Sequence, residues 1–278
     1  MQVLTVNYQS KDAAKLFCQS LHETGFGVLT HHPVAPELIQ AAYSEWQNFF
    51  NSSQKHEYLY KKETQDGYFP FRSETAKNYK VSDLKEFFHF YPWGQIPESL
   101  KQISTDMYEQ MSQLSVELLQ WIEDNLPADV ANQLHIPLSN MIQNSDNTLL
   151  RILHYPPLPN DVEPGAIRAA AHEDINLITL LPAATAPGLE VLDANGKWHM
   201  VSCDPGNIVV NVGDMLQMCT RKYYISTTHR VINPIDQVEN TSRYSMPLFL
   251  HPRNEVRLSE THTAIEYRHE RLREIGIY

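Results

Sequence analysis

Two histidines and one aspartate have the residue types and the spacing of a metal site. His172 and Asp174 form a His-x-Asp pair, and His229 follows further along the chain. Two imidazoles and one carboxylate are the ligand set of a mononuclear non-haem Fe(II) centre, which leaves three coordination positions open. Zn²⁺ accepts the same ligands, so a zinc hydrolase stays open on ligand identity alone. Such a hydrolase would need a general base, and Glu173 is the nearest carboxylate.

The local sequence predicts that these ligands lie at β-strands. Side chains two residues apart on an extended segment point to the same side, so His172 and Asp174 can bind one ion. The apolar run 177–181 follows them, and His229 lies in a second strand-like run, 227–232. Three other histidines in this half of the chain stay open as alternative ligands: His154, His199 and His251.

An arginine near the third ligand could bind a co-substrate. An Fe(II) centre with open positions needs a reductant to activate O2, commonly a 2-oxo acid whose far carboxylate requires a cation. Arg243 and Ser245 lie two residues apart, and Arg243 begins an apolar strand, YSMPLFL. Arginine donates two parallel hydrogen bonds to a carboxylate. A second Arg-x-Ser, at Arg257 and Ser259, lies in a charged stretch, so we favour the first.

Apolar periodicity divides the chain into a helical half and a strand-rich half. Helical spacing predicts helices over 10–24, 35–50 and 97–125, with strands at 26–30 and 87–91 and a loop with a short helix over 51–85. Further short strands are predicted from residue 147 onwards, with a tight turn at Gly213-Asp214 and a final helix over 261–275. These later strands are expected at 149–154, 177–181, 189–192, 208–212, 215–218, 227–232 and 244–250.

This pattern predicts a mainly β fold with flanking helices. We expect a single domain over 1–278, because no flexible linker separates the halves. Its parts are a mostly helical N-terminal region (1–146), a β core with the metal site (147–251) and a C-terminal helix (252–278). The alternating strands favour an antiparallel sandwich or barrel.

Composition limits the possible partners and locations. The chain has 278 residues, a net charge of −11 and a pI near 5.6, which argues against a nucleic-acid groove. No apolar run is long enough to span a membrane, and the first residues lack the pattern of a secretory signal. The three cysteines, Cys18, Cys203 and Cys219, form no C-x-x-C pair. We therefore expect a cytoplasmic protein with reduced thiols.

Several ordered segments resemble one enzyme family across nearly the whole chain. HEDINLITLL, GLEVL, PGNIVVNVGDMLQ, YYISTTHRV and SRYSMPLFLHP are similar, in order and spacing, to the Fe(II)/2-oxoglutarate-dependent dioxygenases of the isopenicillin N synthase-like group. LLRILHYPPLP and GFGVLTHHPV resemble earlier segments of that group. The resemblance implies a double-stranded β-helix, or jelly roll. It also implies a dioxygenase that oxidises a small molecule and releases succinate and CO2.

The resemblance also assigns residues. It implies that His172, Asp174 and His229 hold iron, and that 2-oxoglutarate is bound by Arg243, Ser245 and Tyr155. Ascorbate is a possible additional reductant. Many relatives carry Asn two residues before that tyrosine, whereas this chain has Leu153. The missing polar contact could come from Arg151 or His154. An Fe(II) oxidase that does not use 2-oxoglutarate therefore stays open. A non-catalytic jelly-roll binding protein is a second alternative, although it would need neither the ligands nor the Arg243 and Ser245 pair.

The substrate pocket is harder to locate from sequence. Arg168 lies four residues before His172, and an aromatic segment precedes the β half. Candidate substrate contacts are Arg168, Phe69, Arg72 and Phe87. If both arginines line the pocket, we expect a substrate that carries a carboxylate, with O2 as the second small-molecule partner.

Overall fold

Helices form in the N-terminal part of the chain as its apolar periodicity predicts. The computed structural model describes residues 1–76, 79–159, 161–201, 204–235 and 240–274. The three predicted N-terminal helices are present, and α1 ends where Gly25 adopts a left-handed φ of 74°. The helices are α1 (Ala13–Thr24), α2 (Pro36–Asn51), α3 (Glu98–Asp124), α4 (Ala128–Ala131), α5 (Leu138–Met141), α6 (Asp214–Cys219) and α7 (Ala264–Glu274), with a 3-10 helix at Ser53–Tyr58.

The strands form two sheets. The larger sheet has the order β1-β2-β10-β7-β13-β5-β4-β3, with β12 also paired to β5, and the smaller one has the order β6-β11-β8-β9. All described pairings between these strands are antiparallel except β1 with β2. The strands are β1 (Thr5–Asn7), β2 (Phe26–Thr30), β3 (Gly67–Phe69), β4 (Glu86–Phe90), β5 (Leu149–Tyr155), β6 (Ala169–His172), β7 (Ile178–Pro182), β8 (Leu189–Leu192), β9 (Trp198–Met200), β10 (Ile208–Val212), β11 (His229–Val231), β12 (Arg243–Ser245) and β13 (Leu248–Leu250).

The helices cover the outer face of the larger sheet. α1, α2 and α3 pack on this face and on one another, and they form the main apolar core with alternate residues of the strands. Burying each large apolar side chain of this kind stabilises the fold by roughly 1.5–3 kcal/mol. Fully buried members include Phe17, Leu21, Trp46, Phe88, Met107 and Ile152.

Two smaller apolar clusters lie between the sheets. One joins β2 and β10 of the larger sheet to β8 of the smaller one. The other joins β3, β4 and β5 to β6 and β11, and its members are Phe69, Phe87, Leu153, Tyr155, Ala169 and Val231. The two clusters hold the sheets face to face. The structure is therefore a jelly-roll core flanked by helices, and the predicted fold class is confirmed.

Four local predictions differ from the structure. Residues 215–218, predicted as a strand, lie in α6, and Gly213-Asp214 begins this helix instead of forming a tight turn. The run 244–250 is divided into β12 and β13. The C-terminal helix occupies Ala264–Glu274, so the part of 252–278 before residue 264 is not helical. Residue 275 and Cys203 lie outside the described residues.

Sequence patterns missed some elements. β1, β3, β6 and β9 have only three or four residues, which is too short for a clear alternation of apolar and polar side chains. Among the described residues, no helix combines the length and the apolar character that a bilayer crossing requires.

Candidate metal centre

The fold brings the His-x-Asp pair and the distant histidine together. His172 ends β6 and lies directly opposite His229, the first residue of β11, in an antiparallel pair. The Oδ1 atom of Asp174 is 3.8 Å from Nε2 of His172 and 3.7 Å from Nε2 of His229. Each of the three residues offers one ligand atom, and these atoms all lie within 4.8 Å of one another. They are thus close enough to share one metal ion.

Hydrogen bonds from the surrounding chain orient each of these side chains. Nδ1 of His172 bonds to the carbonyl oxygen of Ala170 at 2.7 Å, and Nδ1 of His229 to that of Thr227 at 3.1 Å. A carbonyl only accepts, so each Nδ1 carries the proton and each Nε2 keeps a lone pair. Backbone carbonyls commonly fix metal-binding histidines in this way. The two imidazoles are thus set to coordinate through Nε2.

Hydrogen bonds also orient the Asp174 carboxylate. Oδ2 of Asp174 accepts hydrogen bonds from Oγ1 of Thr179 at 2.6 Å and from Nδ2 of Asn211 at 2.8 Å. Oδ1 faces the two Nε2 atoms. Burial opposes ionisation of Asp174, but His229, His172 and these hydrogen bonds hold its pKa below the ordinary value. The donor set therefore combines a fixed carboxylate with two imidazoles, and it fits a divalent metal ion.

Backbone contacts hold Asp174 in place beyond the end of β6. The amide of Asp214, at the start of α6, donates to the carbonyl of Asp174 at 2.7 Å. Gly213 precedes it, and a Cβ at this position would lie 2.2 Å from Oδ1 of Asn176. Only glycine permits this close approach. The turn-like sequence Gly213-Asp214 thus begins a short helix that positions a metal ligand.

The residues expected to bind 2-oxoglutarate lie on two neighbouring strands. Arg243 is paired with Tyr155, and Ser245 with Leu153, between β12 and β5. The guanidinium of Arg243 lies 5.1 Å from the centre of the Tyr155 ring, and its Nε donates to the carbonyls of Ala186 and Pro187. Both Arg243 and Ser245 are buried. The structure thus brings the three predicted co-substrate residues together.

Leu153 lies between these residues and the aromatic cluster. It is opposite Ser245 on one side and Phe87 on the other. His154 points to the other face of β5, where its Nδ1 and Nε2 bond to Glu86 and Ser242. His154 is therefore neither a ligand of the triad nor a replacement for the missing polar contact. Arg151 shares the face of Leu153.

The four predicted substrate residues fall in three different places. Phe69 and Phe87 stack at 4.5 Å within the cluster between the sheets. Arg168 is buried, bonds to the carbonyl of Thr241, and has a pKa lowered by burial and then by Arg243. Arg72 is exposed and lies 3.8 Å from Glu163. The two aromatic residues thus lie in the cluster between the sheets, Arg168 lies near Arg243, and Arg72 lies on the surface.

The sequence analysis did not identify a charged cluster that the structure shows next to β4 and β5. Glu74, Asp83, Lys85, His89 and Arg151 form a continuous set of ion pairs and hydrogen bonds. Three of them come from 51–85, a polar stretch without periodicity. The alternation of Lys85 with Phe87 and His89 around β4 was the one available signal.

Comparison with known proteins identifies the family of this chain. Residues 142–252 match the 2OG-Fe(II) oxygenase superfamily, and residues 3–113 match the family described as non-haem dioxygenase in morphine synthesis N-terminal. The two matches cover both the β core and the helical part. The chain belongs to the 2OG-Fe(II) oxygenase superfamily.

Individual relatives agree with this assignment. The 2-oxoglutarate-dependent dioxygenase citB of Monascus ruber is 30% identical over 89% of this chain and 80% of its own. A crystal structure from Shewanella oneidensis, described as an oxygenase, is 52% identical over 100% of both chains, with a TM-score of 0.91. A full-length Neurospora crassa protein, solved in complex with alpha-KG, is 23% identical over 98% of this chain and 96% of that chain. Its TM-score is 0.81, a likeness that shows the fold.

These findings decide between the functions left open by the sequence. The protein is a 2-oxoglutarate-dependent dioxygenase, an oxidoreductase that uses Fe(II) and acts on a small molecule. This function replaces the zinc hydrolase, the binding protein and the oxidase without 2-oxoglutarate that the sequence left open.

Proposed function

We propose that His172, Asp174 and His229 bind the Fe(II) of this dioxygenase and that Arg243, Ser245 and Tyr155 bind its 2-oxoglutarate. The proposal rests on the convergence of the two histidine Nε2 atoms and Oδ1 of Asp174. The other polar atom of each side chain, Nδ1 or Oδ2, is held by a hydrogen bond from or to the protein. This is the facial triad of non-haem Fe(II) oxygenases. Arg243 of β12 is paired with Tyr155 of β5, and Ser245 lies two residues further along β12.

The protein's own residues supply binding, orientation and exclusion of water. Bound iron with 2-oxoglutarate supplies O2 activation coupled to oxidative decarboxylation, which yields succinate and CO2. Arg243 would fix the distal carboxylate of 2-oxoglutarate through paired charge-assisted hydrogen bonds, with Ser245 and Tyr155 donating beside it. The apolar cluster around Phe87 and Leu153 keeps water from the reacting face.

An anaerobic binding experiment tests these assignments. Fe(II) and 2-oxoglutarate added together should give a weak visible charge-transfer band, and His172→Ala should lose it. Wild-type enzyme should also release succinate under air. A full-strength band in the variant would contradict the ligand assignment, and the absence of both band and succinate in wild-type enzyme would contradict the proposed site as a whole.

Other sequence expectations stay predictions. They include a single domain over 1–278, a cytoplasmic location, ascorbate as a reductant, and the absence of nucleic-acid and membrane partners. The two described cysteines, Cys18 and Cys219, are free and buried. A carboxylate-bearing substrate is also a prediction, although Arg168 and Arg72 occupy separate places.

A further inference from the structure

A buried charged cluster lies between β4, β5 and the segment before β4. The Nζ atom of Lys85 is 2.6 Å from Oε2 of Glu74 and 2.7 Å from Oδ2 of Asp83. Arg151 reaches the same Glu74 carboxylate, from Nη1 at 3.3 Å and from Nη2 at 3.4 Å. Two cations thus converge on one carboxylate that the chain itself supplies.

Arg151 is held so that only its forked end is presented to this carboxylate. Its Nε donates to Nε2 of His89 at 2.9 Å, and Nδ1 of His89 in turn bonds to the carbonyl of Gln65 at 2.8 Å. The guanidinium also lies 4.7 Å from the centre of the Phe87 ring. An arginine fixed in this way is organised in advance to receive a carboxylate through two parallel hydrogen bonds.

The two carboxylates of the cluster are held very differently. Asp83 is almost fully buried, and its Oδ1 accepts a hydrogen bond from the amide of Ala170 in β6. The side chain of Glu74 is 22% exposed, and its described contacts are the ion pairs with Lys85 and Arg151. Both of its Arg151 contacts are longer than the 2.7–2.9 Å usual for such pairs. Asp83 is thus part of the framework, whereas Glu74 can be replaced.

The cluster faces the metal centre. One face of β5 carries Arg151, Leu153 and Tyr155 at steps of about 6.6 Å. Tyr155 is paired with Arg243 at one end of this face, and Arg151 lies nearer the other end of the strand. Asp83, the second partner of Lys85, accepts a hydrogen bond at 3.0 Å from the amide of Ala170, which lies two residues before His172 in β6.

Apolar side chains lie next to the charged cluster on the inner side of the sheet. Phe69 and Phe87 stack on one another, Leu153 lies beside them, and Phe249 lies 5.5 Å from the Arg151 guanidinium. A molecule with an apolar body could therefore rest on these rings while its charged end meets the cations.

We propose, on the basis of the proposed function, that Lys85 and Arg151 bind the carboxylate of the substrate and that Glu74 occupies this position until the substrate enters. With Glu74 the ionised cluster is neutral, because two cations face two carboxylates. Without Glu74 it has one positive charge in excess, which matches a single carboxylate. The substrate class is thus a small monocarboxylic acid with an apolar or aromatic body.

The protonation states support this exchange. Burial opposes ionisation of Glu74, but Arg151 and Lys85 hold its pKa well below the ordinary value. Burial likewise opposes the charge of Lys85, but Glu74 and Asp83 raise its pKa above the ordinary value. Glu74 and Lys85 are therefore both charged at neutral pH. A guanidinium is always protonated in proteins, so an incoming carboxylate meets two full cations, Lys85 and Arg151.

The test uses the full-length enzyme loaded anaerobically with Fe(II) and saturating 2-oxoglutarate, so that the probes cannot take the place of 2-oxoglutarate. Benzoate, phenylacetate and 3-phenylpropanoate are each titrated beside the matching primary amide, and the dissociation constants are measured by calorimetry. We expect the best carboxylate to bind at least about tenfold more tightly than its amide, the size of one charge-assisted contact. Equal affinity for acids and amides would overturn the proposal.

A variant of Glu74 gives the sharper result. Glu74→Gln removes the internal competitor, so carboxylate binding should tighten by about tenfold while amide binding stays unchanged. Glu163→Gln is the matched control, because it removes the carboxylate paired with exposed Arg72 and should change neither affinity. Lys85→Met should abolish the preference for the acid. Failure of every carboxylate to bind Glu74→Gln would also refute the proposal.

The charge-transfer band separates this inference from the proposed function. If wild-type enzyme gives no band with Fe(II) and 2-oxoglutarate, the metal and co-substrate assignments fail first. If the band forms and the acids show no advantage over the amides, only the role of Lys85 and Arg151 fails.

Discussion

The two faces of β5 differ in what their side chains contact. On the outer face, Leu150 and Ile152 are fully buried against the helices. On the inner face, Arg151, Leu153 and Tyr155 lie beside the charged cluster, the apolar cluster and Arg243. Side chains alternate along a strand, so neighbouring residues of β5 have different roles. Those on the outer face stabilise the fold, and those on the inner face lie beside the proposed site. Changes on the two faces should therefore have separable effects.

A buried carboxylate on each face shows the same contrast. Glu86 accepts hydrogen bonds from Lys55 at 2.9 Å, from His154 at 2.7 Å and from Tyr68, and its side chain is 6% exposed. Glu74, on the inner side, has longer contacts with its arginine and is more exposed. The outer carboxylate is fully satisfied by the protein, whereas the inner one leaves room for exchange.

The largest expected effect is loss of the metal on the inner side. Asp174→Ala removes the single carboxylate ligand, so iron content and succinate release should fall to background. The free energy of unfolding of the metal-free protein should fall by about 1–3 kcal/mol, because Thr179 and Asn211 lose the carboxylate that accepts their hydrogen bonds. Iron analysis and chemical denaturation measure the two effects.

Asp193→Ala is the control for this variant. Asp193 is also paired with a histidine, His199, at 2.6 Å, but it lies away from the triad in the turn before β9. This variant should keep its iron. Equal loss of iron from both variants would show that the Asp174 result reflects general damage to the β core.

The converse change on the outer face should affect stability alone. Ile152→Ala leaves a cavity under the helices, and the free energy of unfolding should fall by about 2–5 kcal/mol. The charge-transfer band with Fe(II) and 2-oxoglutarate should persist at temperatures where the variant is folded. Loss of the band in the folded variant would mean that the two faces of β5 are coupled.

Two histidines on the inner side, buried His89 and half-buried His251, make stability depend on pH. Burial and then Arg151 lower the pKa of His89 well below its ordinary value, and burial and then Arg268 lower that of His251 to about 4. Below about pH 6.5 these histidines bind protons in the unfolded chain but not in the folded chain. The free energy of unfolding therefore falls as the pH is lowered from about 6.5 to about 4. His251 contributes roughly 3 kcal/mol at most over this window.

Denaturation at several pH values measures this dependence. His251→Gln should flatten the curve between pH 6.5 and pH 4, whereas the same change at exposed His31 should not. A curve that keeps its full slope in His251→Gln would contradict the assignment of this proton uptake to the inner side.

The grouping of His172, Asp174 and His229 could be predicted from sequence because local signals agreed. His172 and Asp174 precede an apolar strand, and His229 lies in another, so pairing of antiparallel strands brings them together. Arg243 and Ser245 share one strand face for the same reason. Here the chemistry depends on residues whose spacing along a strand already gives their direction.

The inner charged cluster could not be predicted in this way. Glu74 and Asp83 lie in a stretch without periodicity, and only the tertiary placement of that segment against β5 and β6 brings them to Lys85 and Arg151. The helix α6 was missed for a related reason, since a six-residue apolar run fits strand and helix equally well. The contact of Gly213 with Asn176, which begins the helix, is also tertiary.

The smallest expected effect concerns Leu153, which stands where the family resemblance implies Asn. Leu153 faces Ser245 across the β5–β12 pair and is 5% exposed. Leu153→Asn places a hydrogen-bond donor beside the proposed 2-oxoglutarate site, so the dissociation constant of 2-oxoglutarate should fall about fivefold, or roughly 1 kcal/mol. The same change should lower the free energy of unfolding by about 1–2 kcal/mol, since it buries an amide among aromatic residues.

Leu153→Ala separates polarity from volume in this experiment. It opens a similar space without adding a donor, so it should destabilise the protein and leave the affinity for 2-oxoglutarate unchanged. Titration of the charge-transfer band gives the affinity of both variants under the same conditions. If Leu153→Ala tightens binding as much as Leu153→Asn does, then the leucine limits the site by its size, and the inner face needs no polar group at this position.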